Sequence, residues 1–212
     1  LKEEAESVEY VFLTHSHLDH VVDIPFLIDT FYAIKTKPLI IYGLAETLES
    51  LKENILNWKV WPDFSELDLI NKSGKSIIFT EIDFGDVFEI SGLTIEPIKT
   101  CHTIASCGYK ITKDGRTTII TSDTGPCDEV VRVVKETKNL KNLVIECAFP
   151  SRFKKLAHDS MHLTPLLLEE ELKKIGRTDL KIFINHLKPF YEAEIRSELS
   201  AIPLLGSAEV LE

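Results

Sequence analysis

Apolar residues in this chain come in short runs broken by charged and turn-forming stretches, and their period changes from segment to segment. Residues 8–14 (VEYVFLT) are rich in β-branched and aromatic side chains and predict a buried strand. Residues 23–35 (DIPFLIDTFYAIK) predict a helix, with Asp23 as N-cap and Pro25 in the first turn. After Pro38, LIIY predicts a strand, and 44–54 (LAETLESLKEN) repeats Leu at helical spacing.

The middle of the chain reads as β-rich, with strands predicted over 76–81, 87–90, 93–99, 107–112 and 116–122. The KDGR stretch between the last two predicts a tight hairpin, because Asp-Gly accepts positive φ at both central positions. From there the pattern alternates: helix 128–138, strand 142–147, helix 164–175, strand 180–185, helix 190–199. Sheets carrying helices on their outer faces make this an α/β protein. With 44% apolar residues in 212, and no repeat or Gly/Ser linker, the chain is expected to form a single domain over 1–212.

Chemistry concentrates at the end of the first strand. The chain has 7 histidines, and three of them fall in HSHLDH, residues 15–20. Side chains alternate in an extended segment, so His15 and His17 point the same way. Asp19 and His20 follow as the chain turns toward the helix, so one loop offers two ligands to each of two metals.

THSHLDH resembles the signature loop of the metallo-β-lactamase superfamily of dinuclear hydrolases. The resemblance implies a four-layer αβ/βα sandwich, with a His, an Asp and a last His at the ends of later strands. His102 in KTCHT, Asp123 in TSDTGP and His186 in INHLKP stand in that order, each after a predicted strand. Carried over, His15, His17 and His102 would hold one metal, Asp19, His20 and His186 the other, with Asp123 bridging. Such a set suits two divalent ions, zinc foremost, with manganese or iron also compatible. Two dications, two carboxylates and a shared hydroxide leave the centre at about +1, a charge that draws an anion.

Further stretches resemble the class II cyclic-nucleotide phosphodiesterases: NILNWKVWPDFSEL (54–67), TSDTGP, IECAFPSRF (145–153), MHLTP (161–165) and NHLKP (185–189). The likeness covers most of residues 11–190. It implies hydrolysis of a 3′,5′-cyclic nucleotide, such as cyclic AMP, to the 5′-monophosphate by a metal-bridging hydroxide. The chain departs from the pattern at Asp23, where a small residue is usual, and at Thr30, which stands where a Ser is expected. The resemblance implies strands before the ligand loop, and only 14 residues precede His15: either the chain is a fragment or the first strands of the sandwich are absent from this sequence.

The tRNA-processing phosphodiesterases of the superfamily use a His in a stretch similar to DSMHLTP, which implies that His162 is a proton donor or phosphate contact, with His158 a weaker competitor; Asp19 is expected to be catalytic as well. Glu146 would buttress a ligand or His162 by hydrogen bonding. Trp61, like Trp58, offers a flat wall for a base. The alternative of the same superfamily is an endoribonuclease that processes tRNA 3′ ends, and a third reading is an iron redox protein.

A net charge of −10 disfavours nucleic acid as partner and leaves a small anionic nucleotide. No apolar run is long enough to span a membrane. The four cysteines, without a CxxC, read as buried thiols in a reducing compartment, hence cytoplasmic. A homo-oligomer is left open.

Overall fold

Three apolar runs in the first part of the chain become parallel strands: β1 (Tyr10–Phe12), β2 (Leu39–Gly43) and β3 (Ile77–Glu81), in that spatial order. Val11 pairs with Ile41 and Ile41 with Phe79, which aligns the buried Ile41 with two partly buried neighbours across the sheet. The computed structural model describes residues 7–205 and 208–211, and the chain divides into two compact units, 1–83 and 84–212.

Parallel strands need crossovers. In the first unit β1 is joined to β2 through α1 (Leu18–Val21) and α2 (Asp23–Phe31), while α3 (Ala45–Asn54) follows β2. Ile28, Leu39, Ile41, Leu51 and Leu56 form the centre of its core. The strand expected over 8–14 is shorter because pairing ends with the Leu13 N–H on the Tyr42 carbonyl at 2.8 Å. Asp23 is the first helical residue rather than the cap. The turn of α1 runs into α2 through Val22, whose φ of −61° and ψ of −28° are already helical.

The second unit is built on a seven-stranded sheet in the order β10-β9-β8-β7-β6-β5-β4. Its strands are β4 (Phe88–Ile90), β5 (Leu93–Lys99), β6 (Cys107–Lys113), β7 (Arg116–Ile120), β8 (Leu140–Glu146), β9 (Lys181–Asn185) and β10 (Glu209–Val210). β4 to β7 form an antiparallel meander, and β7 to β10 pair in parallel. The β6–β7 hairpin has Asp114 at φ 49° and Gly115 at φ 71°, as its Asp-Gly sequence predicts. Gly108 is required for another reason: a Cβ there would run into the carbonyl oxygens of Ile120 and Thr121.

Helices α4 (Asp128–Glu136) and α6 (Pro165–Ile175) pack against each other, and α5 (Lys154–Asp159) and α7 (Glu192–Ser200) complete the unit. Ile119, Leu143, Ile145, Leu168 and Ile195 are among its fully buried side chains. α6 starts where its sequence says it should: Thr164 caps it by accepting the Leu167 N–H, and Pro165 follows. The helix expected over 190–199 begins at Glu192, because Pro189–Tyr191 form a 3₁₀ turn first.

The direction of the strands positions the chemistry. β5 and β7 both run antiparallel to β6, and β8 and β9 run parallel to β7. The C-terminal ends of all four therefore lie along one edge, and His102, Asp123, Glu146 and His186 follow or end those strands.

The cysteine expectation is corrected for two of the four residues. Cys101 and Cys127 form a disulfide, with Cα atoms 5.5 Å apart. They lie beyond the ends of β5 and β7, and the Gly125 N–H donates to the Cys101 carbonyl at 2.8 Å. Cys107 and Cys147 are buried thiols, as expected. The cytoplasmic expectation loses the part of its support that rested on four thiols. Among the described residues no helix is long and apolar enough to cross a membrane.

Candidate metal centre

In the first unit the HSHLDH stretch leaves β1 in extended form and closes into the single turn of α1. His15 is fully buried, and its Nδ1 lies 3.1 Å from the Thr14 hydroxyl. Its Nε2 lies 3.1 Å from Nδ1 of His17, and its ring centroid is 4.1 Å from that of His20. Two nitrogens bound to one tetrahedral zinc at about 2.05 Å would be about 3.4 Å apart, so this spacing suits a shared ion. Asp19 is exposed, with its carboxylate 3.9 Å from His20 Nε2.

In the second unit four loops meet at the strand edge. Asp123 is 2% exposed and holds Oδ2 3.3 Å from His186 Nε2 and 4.0 Å from His102 Nε2. Donor atoms of Asp123, His162 and His186 lie within 4.8 Å of one another, close enough to share an ion. His102 is oriented by a contact of Nδ1 with the Met161 carbonyl at 3.0 Å, which turns Nε2 toward Asp123. On the other side of Asp123, Lys188 Nζ sits 3.2 Å from His186 Nε2. His186 Nε2 therefore lies within reach of both the Asp123 carboxylate and the Lys188 ammonium. The donor sets of both units fit divalent cations.

Glu146 organises the second unit's loops. It is fully buried, and its carboxylate accepts the N–H groups of Thr124 at 3.0 Å, Ala148 at 3.1 Å and Leu163 at 3.1 Å. A fourth contact, 2.6 Å long, joins it to His162 Nδ1. Burial works against an imidazolium at His162, but the Glu146 hydrogen bond and charge outweigh it and hold the pKa above its ordinary value. Burial also raises the Glu146 carboxyl, with His162 and the backbone N–H of Leu163 pulling it partly back. The His162 ring stacks on His186 at 5.4 Å and meets His102 edge-on at 5.0 Å. His158, by contrast, is exposed on α5 beside Asp159 and stands outside this cluster.

Backbone strain marks the same loops. Ser122, Met161 and His186 have φ of 57°, 54° and 61°, a region that non-glycine residues enter at a cost and that clusters at functional sites. Each stands beside, or is, one of the clustered residues. Trp61 lies in the first unit, where its ring meets Phe26 at 5.2 Å, and Trp58 donates from Nε1 to Glu66 at 2.8 Å. Lys188 and the Met161 carbonyl were not singled out from the sequence. The first stands in the NHLKP stretch but was given no role there, and the second is a backbone atom.

A three-stranded sheet in one unit and a seven-stranded sheet in the other, each with His and Asp side chains beyond its strand ends, are the features that bear on the class. The chain has the metallo-β-lactamase fold, shared with a metallo-β-lactamase fold protein of Bacillus subtilis, YhfI (TM-score 0.73, 21% identity, 98% of this chain and 77% of that one). Unliganded yeast PDE1 has the same fold (TM-score 0.78, 19% identity, 97% of this chain and 66% of that one).

The model of the class-II cAMP phosphodiesterases matches residues 2–194, and the chain belongs to that family. A 3′,5′-cyclic-nucleotide phosphodiesterase of Aliivibrio fischeri is 28% identical over 86% of this chain and 60% of its own length. The chain thus spans about 60% of the length of the curated relatives it matches.

Proposed function

We propose that the chain carries the machinery of a metal-dependent phosphodiesterase that opens a 3′,5′-cyclic nucleotide, cyclic AMP first, to its 5′-monophosphate. In this reading residues 1–212 act as one metallo-hydrolase domain. His15, His17 and His102 hold one divalent ion, Asp19, His20 and His186 a second, and Asp123 is shared, with zinc the best match to the ligands. When bound, such a pair lowers the pKa of water and neutralises charge on the phosphoryl group.

The observation that carries the reading is the buried Glu146–His162 pair beside Asp123 and His186, in a chain of this family. Opening the ring to the 5′-monophosphate breaks the P–O3′ bond, and the departing 3′-oxygen needs a proton. Glu146 fixes the His162 ring through Nδ1 and favours its charged form, so Nε2 delivers that proton. Asp19, exposed on its loop, is suited to take the proton released by the attacking water, and Trp61 to flank the base. An overall charge of −10 favours a small nucleotide over RNA.

The test is to purify the protein with its metal content measured and assay cyclic AMP, cyclic GMP, bis-p-nitrophenyl phosphate and pre-tRNA. Cyclic AMP should yield 5′-AMP and lose turnover in chelator. Cleavage of pre-tRNA without cyclic AMP would replace this function with tRNA processing.

A further inference from the structure

The loops that carry His102 and Asp123 are tied together at Cys101. Its N–H donates to the Thr124 hydroxyl at 3.1 Å, its carbonyl accepts the Gly125 N–H at 2.8 Å, and its sulfur is bonded to Cys127. Cys101 directly precedes His102, while Thr124, Gly125 and Cys127 follow Asp123. His102 Nε2 and Asp123 Oδ2 stand 4.0 Å apart, so slack in either loop separates two candidate ligands.

The Asp123 side has anchors of its own. The Thr124 N–H donates to Glu146 at 3.0 Å, and the Cys127 N–H to the buried Glu171 of α6 at 3.0 Å. The disulfide therefore fastens the His102 loop to a frame that is already fixed. Its two sulfurs differ in access. Cys127 is 2% exposed, whereas Cys101 is half-buried and lines a cavity of about 610 Å³ with Lys99, Pro126, Asp128, Glu129 and Lys174. A small thiol fits that space, and exchange starts at the sulfur it can reach.

We propose that Cys101–Cys127 is a thiol-exchange site that sets how tightly the centre holds metal through His102 and Asp123. The proposal rests on the metal reading of this site. The thiolate of a small thiol attacks Cys101 Sγ, the Cys101–Cys127 bond breaks, and Cys127 leaves and takes up the proton that the thiol gave up. A second thiol resolves the mixed disulfide. In sum two small thiols are oxidised to one small disulfide, and the protein disulfide is reduced to two thiols. Metal binding then has to order a loop that was ordered beforehand, which lowers affinity. The two hydrogen bonds at Cys101 remain, so the loss is partial.

The experiment compares wild type, before and after reduced glutathione at one fixed pH, with the double variant Cys101→Ser, Cys127→Ser. Alkylation read by mass spectrometry should label Cys101 and Cys127 only after glutathione, while the buried Cys107 and Cys147 stay unlabelled. Zinc affinity, read by competition with a chromophoric chelator, should fall about tenfold on reduction and recover with oxidised glutathione. The double variant should bind zinc as weakly as the reduced protein and ignore glutathione. Because it has no thiol at either position, it also separates loop release from zinc capture by the freed sulfurs.

Equal or tighter zinc binding in the double variant, or no labelling of Cys101 after glutathione, would overturn the proposal and leave the metal reading standing. Loss of circular dichroism on reduction would make the bond a structural one and refute the switch. Oxidised wild type that binds no zinc would remove the metal reading, and the coupling with it.

Discussion

At the residue scale Glu146 has the most to hold: one buried carboxylate satisfies three backbone N–H groups and one imidazole drawn from separate loops. Glu146→Gln turns an amide toward those donors, so the loops around Asp123 and His162 should loosen. Calorimetry should show a lower Tm, and kcat should fall with it. His162→Asn is expected to keep the fold and the metal while kcat drops by about 10²–10⁴, the range for a lost proton donor. Unchanged kcat in that variant would remove His162 from the mechanism.

Cys107 gives a pH dependence with a defined sign. Burial pushes its thiol from 9.0 up to about 11, so the folded state keeps a proton that the unfolded state gives up. Stability from this group is present below pH 9 and is lost as the pH rises toward 11. The loss amounts to about 3 kcal/mol at 1.36 kcal/mol per unit. Urea unfolding of wild type and Cys107→Ala between pH 8 and 11 should show a steeper decline for wild type; parallel declines would contradict the burial argument.

At this scale the HSHLDH loop stands out because its four candidate ligands fall within six residues. His102, Asp123 and His186 were legible only through their order and their places after strands. Lys188 stands in the NHLKP stretch, but its contact with His186 was not legible, since it depends on a side-chain conformation.

At the scale of elements, close approach of backbones sets the second unit. Gly108→Ala would press a methyl against β7, and overpacking of this kind costs about 1–3 kcal/mol. A Tm equal to wild type would show that the strands can part. The Cys101–Cys127 disulfide ties the loops after β5 and β7, which carry His102 and Asp123, across a separation of 26 residues. Chain-entropy reasoning gives such a closure about 3.5 kcal/mol. Cys127→Ala, or reduction of wild type, should lower Tm alike, and reduction should leave the variant's Tm unmoved.

The hairpin at Asp114–Gly115 and the start of α6 followed their local signals because turn and cap chemistry is short-range. The single turn α1 was missed because Leu18–Val21 is too short to show a helical period. α5 was missed because it buries only Ala157 among charged residues, and β10 because it is two residues long. The disulfide was hidden because topology, not spacing, brings its two loops together.

At the scale of the whole molecule, a chain with net charge −10 is proposed to concentrate positive charge where divalent cations meet an anionic ester. Its family membership rests on residues 2–194, while the proposed activity is assigned to His, Asp and Glu side chains on the loops beyond the strand ends. The claim beneath all the others is that those side chains hold a pair of ions.

Metal analysis of the purified, folded protein beside Asp123→Ala tests it most directly. Wild type should carry about two divalent ions per chain and the variant distinctly fewer, with the variant's circular dichroism unchanged. Folded wild type that retains less than one ion after incubation with zinc, or a variant that binds as many as wild type, would contradict the paired centre.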